Sequence, residues 1–338
     1  MNRILINITI LLTCMMLLGS CNEEWKDEQF NQSLSFVAPL NEQGLSPIYI
    51  RYKPNGAVTY ELPMLVSGST MNDKDLNVSV ALDPDTLNVL NIERFSTRTE
   101  LFYKLLPSPQ FVTFPDNILI PSGSSHVKLP LNFTLAGIDM VDKWVLPLTI
   151  VDGPSYNYTA NPMRHYKRAL LRIFPFNDYS GNYSATGYRL FFKDTNGNTV
   201  GEAITVRTHT GYVVDENTVF FYAGHVNEER LDRGFYKLRY QFNNDFDEDL
   251  GYATITITAD NPAIKFDVRG TPNYRVEESM DPIRPYLKRR TIVISLEYDF
   301  TDYTSIPGVE LDYRISGTLT MERQINTQIP DEDQAILW

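Results

Sequence analysis

Leu76-Asn77-Val78-Ser79-Val80-Ala81-Leu82 places an apolar side chain at every second position. That is the period of a strand with one face in a core and the other in water. Asp83-Pro84-Asp85 then reads as the turn that closes it. The same rhythm runs outward in both directions. Upstream, Ile48-Tyr49-Ile50-Arg51-Tyr52 precedes Pro54-Asn55-Gly56 and an apolar run at 57–65; downstream come runs at 117–120, 127–133, 144–151 and 169–174, with Pro, Gly, Asn and Ser clusters between them. One short helix is expected, over 98–105, where Pro107 stops it. About seven short strands over residues 34–175 predict an immunoglobulin-like β-sandwich.

Phe174-Pro175-Phe176-Asn177 reads as the hinge to a second all-β unit over 176–325. Its strands are expected at 183–193, 203–208, 218–222, 236–242, 252–259, 264–268, 291–300 and 313–323, with Asn196-Gly197-Asn198 as the first hairpin turn. Strands in this number, joined by hairpins, suit a closed barrel-like, lipocalin-like antiparallel domain, because closure removes exposed edges. A sandwich stays open as the alternative, since alternation does not register closure. Residues 270–290 read as the longest loop, and 326–338 as a polar tail.

Across 338 residues, 43% are apolar and 21% charged, which excludes a fibrous or wholly disordered chain. Twenty Tyr and eighteen Phe suit strands. The formal charge is −12, and it divides unevenly: residues 22–176 carry −3 and residues 177–338 carry −10. Phosphate backbones repel such a protein, so nucleic acid is not an expected partner.

The first twenty residues open with Arg3, continue through an apolar run and end in Gly19-Ser20, the order of a secretory signal peptide. Leu18-Gly19-Ser20-Cys21 resembles a bacterial lipobox. That resemblance implies a diacylglycerol on the Cys21 thiol, cleavage before it, and attachment to the outer membrane; an ordinary cleaved signal is the alternative. Residues 21–33 then form a lipidated tether. Its acidic cluster, Glu23, Glu24, Asp27 and Glu28, resembles the export signal of lipoproteins that face the cell exterior in Bacteroidetes.

Three further stretches resemble, in order, an N-terminal domain of unknown function in Bacteroidetes surface lipoproteins, which also precedes some endo-β-N-acetylglucosaminidase barrels. They are Tyr103-Lys104-Leu105-Leu106-Pro107, Ile120-Pro121-Ser122-Gly123 and Trp144-Val145-Leu146-Pro147-Leu148-Thr149-Ile150. Tyr179-Ser180-Gly181-Asn182-Tyr183, with the strands at 294–298 and 313–323, is similar to the β-rich C-terminal domain that accompanies it. The resemblance implies a component of a polysaccharide-utilisation system, working beside a glycan transporter, and transfers no functional residue.

Catalysis finds little support. Glycoside hydrolysis needs a placed carboxylate pair, and no stretch alternates strand and helix as a (β/α)8 barrel would. Asp245, Asp247 and Asp249 alternate like the opening ligands of a calcium loop, but Gly251 falls one place late and Thr256 stands where the bidentate Glu belongs. Calcium is thus at most a weak expectation, with a solvated turn as its rival; no other cofactor is indicated. Glycan binding needs an aromatic face and hydrogen-bonding neighbours. Tyr274 and Tyr286, with Arg275 and Arg284, offer these within 270–290. The sequence therefore predicts a non-catalytic surface lipoprotein that binds polysaccharide or oligosaccharide. An adhesin or structural lipoprotein with a protein partner is the first alternative, and a glycoside hydrolase the second.

Overall fold

Ten strands make the first unit: β1 (Ser33–Phe36), β2 (Ser46–Arg51), β3 (Val58–Ser67), β4 (Leu76–Leu82), β5 (Tyr103–Leu105), β6 (Val112–Thr113), β7 (Asn117–Ile120), β8 (His126–Phe133), β9 (Lys143–Ile150) and β10 (Arg168–Phe176). The computed structural model describes residues 28–53 and 58–330. The expected leader, Cys21 with its lipid, Glu23, Glu24 and Asp27 of the acidic cluster, and the end of the tail lie outside the described residues. One sheet runs β1-β3-β8-β6 and the other β2-β10-β9-β4-β7, with β5 added beside β9. Within these, β1-β3-β8 and β10-β9-β4 reproduce the A-B-E and G-F-C orders of an immunoglobulin sandwich. β2 pairs in parallel with the last strand, from Leu171↔Ser46 to Phe176↔Arg51. Between the sheets lies an aliphatic core that includes Leu62, Val78, Leu129, Leu131, Leu146, Leu148 and Ile150.

The helix is not where the sequence suggested. α1 spans Pro84–Phe95, and 98–105 instead holds a single 3-10 turn (Thr99–Leu101) followed by β5. Asp83-Pro84-Asp85 is a helix start rather than a strand-closing turn. The Asp83 carboxylate accepts from the Thr86 backbone N–H at 3.1 Å and its hydroxyl at 2.7 Å. Pro84 supplies a preset φ where no N–H is needed.

The second unit contains β11 (Gly181–Ser184), β12 (Arg189–Lys193), β13 (Thr199–Thr205), β14 (Thr208–Val213), β15 (Thr218–Tyr222), β16 (Lys237–Phe242), β17 (Ala253–Ala259), β18 (Asp267–Met280), β19 (Leu287–Ile306) and β20 (Val309–Asn326). Pairing runs β11-β14-β15-β16-β17-β18-β19-β20 and returns to β11 through Ser184↔Thr320, so eight strands form a closed ring. The β12–β13 hairpin hangs from the same edge of β20. Where the chain crosses from β11 to β12, the Gly187 carbonyl meets β20 at Gly317. A Cβ on Gly317 would sit 2.0 Å from that oxygen, and its φ of +131° suits only glycine. The interior is filled by Tyr183, Tyr188, Tyr240, Tyr298, Phe221 and Phe300, each less than 3% exposed. An eight-stranded barrel is just wide enough for side chains to fill it.

Residues 174–176 are no hinge. They belong to β10, and the chain turns at Asn177, which is 3% exposed. Its Oδ1 accepts from the Tyr179 and Ser180 N–H groups, and its Nδ2 donates to the Asp215 carbonyl. Around this rivet the two units are joined by further contacts. Arg51 pairs with Asp178 at 2.7 Å, Lys143 with Glu229 at 3.2 Å and Lys237 with Asp139 at 3.0 Å. Arg233 donates to the carbonyls of Val141 and Glu100. Among the described residues no helix is long and apolar enough to cross a membrane.

Candidate functional site

β10 lies across the barrel wall, and the edge of that contact opens into a cleft of about 310 Å³. This falls at the lower end of the roughly 300–1,000 Å³ usual for small-ligand sites, which favour domain boundaries. The first unit contributes Arg172 and Phe174; the barrel contributes Asn182, Thr208, Thr210, Tyr212, Tyr222, Asn227 and Glu228. Thr208, Thr210 and Tyr212 share the outer face of β14; His209, whose ring centroid is 4.9 Å from that of Tyr188, also borders the cleft.

One ion pair fixes the floor. Arg172 Nη2 donates to Glu228 Oε2 at 3.0 Å, and the Tyr212 hydroxyl donates to the same oxygen at 3.2 Å. The Arg172 guanidinium also lies 4.6 Å from the Phe174 ring centre and donates to Gln43 at 3.3 Å. Burial raises the Glu228 pKa, but Arg172 and Lys143 more than reverse this and hold the carboxyl below its ordinary value. Glu228 is thus an anion and a poor proton donor. It is also the only carboxylate lining the cleft among the described residues. The cleft therefore presents fixed hydrogen-bonding groups and aromatic edges, without the carboxylate pair of a hydrolase.

The residues singled out from sequence do not assemble. Residues 270–290 are no loop: β18 and β19 form a long ribbon whose register runs out to Met280↔Lys288. Tyr274 is 7% exposed, donates its hydroxyl to the Asn243 carbonyl at 2.9 Å, and packs against Tyr179 and Phe242. It is a core residue with no face to offer a sugar. Tyr286 is exposed in the turn beyond Met280, and Met280 itself stands six strand residues, or about 20 Å, from Tyr274. Arg275 pairs with Glu277 at 3.1 Å, and Arg284 stands 3.9 Å from Asp281.

The calcium reading fails on the same kind of ground. Asp245 accepts from the Thr254 N–H and hydroxyl, and Asp247 from the Asp249 and Leu250 N–H groups. The acids therefore build the β16–β17 turn. Among the described residues no group of three His, Cys, Asp or Glu side chains is placed to hold a metal. The cleft itself was not legible, because its lining comes from five separated segments that only the packing of β10 on the barrel unites.

Residues 25–154 match the model of a domain of unknown function, DUF4973. Residues 167–320 match that of a second family, described only as a C-terminal domain. A crystal structure of a protein of unknown function from Bacteroides ovatus is 45% identical, with a TM-score of 0.79, covering 91% of this chain and 100% of that one. A multidomain protein including DUF1735, also from Bacteroides ovatus, is 43% identical over 91% of this chain and 100% of its own, with a TM-score of 0.79. An auxiliary nutrient binding protein from Bacteroides thetaiotaomicron is 41% identical, with a TM-score of 0.79, over 90% of this chain and 98% of its own. No curated protein matches.

Proposed function

We infer, from the premise that this chain belongs to the two-domain Bacteroides family that joins a DUF4973 domain to a β-rich C-terminal domain, that it binds a saccharide without transforming it. The relative named for nutrient binding supports a capture role. The observation that carries the sugar reading is the cleft between the domains. A saccharide presents hydroxyls around an apolar C–H face, and here Asn182, Asn227, Thr208 and Thr210 surround aromatic edges in one small concavity. Capture at the cell surface suits a lipid on Cys21 and export to the exterior, with a glycan transporter as neighbour. A densely anchored module needs only modest affinity per site, because a polymeric ligand adds avidity.

Isothermal titration of the mature protein with polysaccharides and their short oligosaccharides tests this. Weak binding of an oligosaccharide and tighter binding of its polymer are expected. Asn182→Ala with Thr208→Val should weaken the oligosaccharide by about tenfold, the equivalent of one to two hydrogen bonds. An unchanged affinity removes the cleft from the reading. Failure to bind any glycan, with a surface protein captured instead, transfers the argument to an adhesin.

A further inference from the structure

A second concavity lies far from the cleft, in the sandwich, and measures about 680 Å³. Its floor is the buried trio Leu34, Val66 and Leu76. β1 is clamped between β3, through Ser33↔Ser67, and the 159–161 segment, through Leu34 N–H to the Thr159 carbonyl at 2.9 Å. One wall is the N-terminal segment itself. The Glu28 carboxylate accepts from the N–H and hydroxyl groups of both Ser69 and Thr70, and Gln32 Nε2 donates to it at 3.0 Å. The bonds from Ser69 and Thr70 hold its pKa well below the ordinary carboxylate value and leave Glu28 structural.

The opposite wall carries Tyr156. Behind it, at 5.2 Å between ring centres, stands Tyr158, which is locked by donating to the Val151 carbonyl and accepting from the Ser79 N–H. Tyr156 is half-buried and its hydroxyl has no hydrogen-bond partner among the described residues; Asn31, Asp73, Lys74 and Thr159 are exposed, and their side chains likewise have none there. A braced ring ringed by uncommitted donors and acceptors is what a sugar requires of a protein. The lining holds two carboxylates against one ammonium, which disfavours polyanionic glycans.

We propose that this groove is a second saccharide subsite, selective for neutral oligosaccharides of several units, with Tyr156 as its stacking platform. It takes its ligand class from the saccharide reading above but shares no residue with the cleft. Because Glu28 and Gln32 form its wall, an occupied groove holds a captured chain at the base of the segment that leads back to Cys21.

Hydrogen exchange on the mature protein, with maltohexaose, cellohexaose and α-1,6-mannohexaose as neutral probes and hexagalacturonate as the anionic one, tests the proposal. At least one neutral hexaose should protect 156–159 and 28–33, and hexagalacturonate should protect neither. Tyr156→Ala should abolish that protection and weaken binding about three- to tenfold, Tyr156→Phe should keep it, and protection at 208–212 in the cleft should survive both. Exchange in β3 and β8 reports that the variants are folded. Protection at 208–212 without any at 156–159 overturns the groove and leaves the cleft reading intact. Absence of protection at both, with no hexaose bound, overturns both.

Discussion

The two domains solve the same problem, a closed β core, with different side chains. The sandwich is filled by Leu, Val and Ile between two sheets, while the barrel is packed around Tyr and Phe. Of the largest fully buried side chains, Phe36, Phe133 and Phe176 are in the sandwich, whereas all five tyrosines, Tyr183, Tyr188, Tyr236, Tyr240 and Tyr298, are in the barrel. A buried phenol needs a partner for its hydroxyl. The barrel supplies one for Tyr183, Tyr188, Tyr236 and Tyr298: Tyr188 and Tyr298 share a hydrogen bond at 2.6 Å, the Gly224 N–H reaches Tyr298, Tyr183 donates to the Tyr179 carbonyl, and Tyr236 donates to Asp302 at 2.7 Å. The lesson is that this barrel is a solid pillar. The cleft proposed for ligand accordingly lies outside the barrel, where β10 crosses its wall.

The contrast is broken most directly in its aromatic half. Tyr298→Ala should cost about 4 kcal/mol, and Leu148→Ala in the sandwich about 3 kcal/mol, both read from urea denaturation of the mature protein. A sandwich variant that costs as much as the barrel variant would deny the aromatic packing any special energetic weight. Because ion pairs and Asn177 join the units, Tyr298→Ala should also speed hydrogen exchange in β9.

The next largest effect depends on pH and belongs to the barrel alone. Burial lowers the His209 pKa to about 4 from the ordinary 6.5, against a smaller opposing hydrogen bond to the Gly224 backbone. Its Nε2 has no hydrogen-bond partner among the described residues. The unfolded chain therefore takes up a proton that the folded barrel refuses. Stability is full above pH 6.5 and falls as pH drops toward 4, by about 3 kcal/mol from this residue. His209→Phe should flatten that part of the profile in denaturation at pH 7, 5.5 and 4. An unchanged slope would remove His209 as its source.

The smallest effect concerns the ribbon that projects from the barrel. Glu278 bridges Lys288 at 3.1 Å and Arg290 at 2.6 Å across the β18–β19 ladder. These groups are partly exposed at the surface of the ribbon, so Glu278→Ala should shift global stability by only about 1 kcal/mol. Exchange in 276–289 should nevertheless accelerate. A loss of several kcal/mol would mean that the ribbon is part of the barrel core after all.

That ribbon also shows why sequence reading stopped where it did. The strands at 76–82, 218–222 and 291–300 were legible because a core faces at least one side of each. Beyond Val276 both faces of β18 are exposed, so no apolar alternation was imposed; charged residues and cross-strand ion pairs hold it instead. Asp83-Pro84-Asp85 was ambiguous for another reason. Asp and Pro serve both turns and helix starts, and only the hydrogen bond to Thr86 separates the two. Tyr274 looked available because sequence carries no record of Tyr179 and Phe242 closing over it.

The parallel pairing of β2 with β10 has a mechanical side. The chain reaches β2 from the N-terminal segment by way of β1 and leaves β10 at Phe176 toward the barrel, so once β1 has parted from β3 the two strands are drawn in opposite directions when the barrel is tugged away from that segment. All six pairs from Leu171↔Ser46 to Phe176↔Arg51 then bear load together, in shear, rather than parting one at a time as a zipper does. Such shear loading suits the proposed capture of a polymer, and the strand pair that carries the strain supplies Arg172 and Phe174 to the cleft.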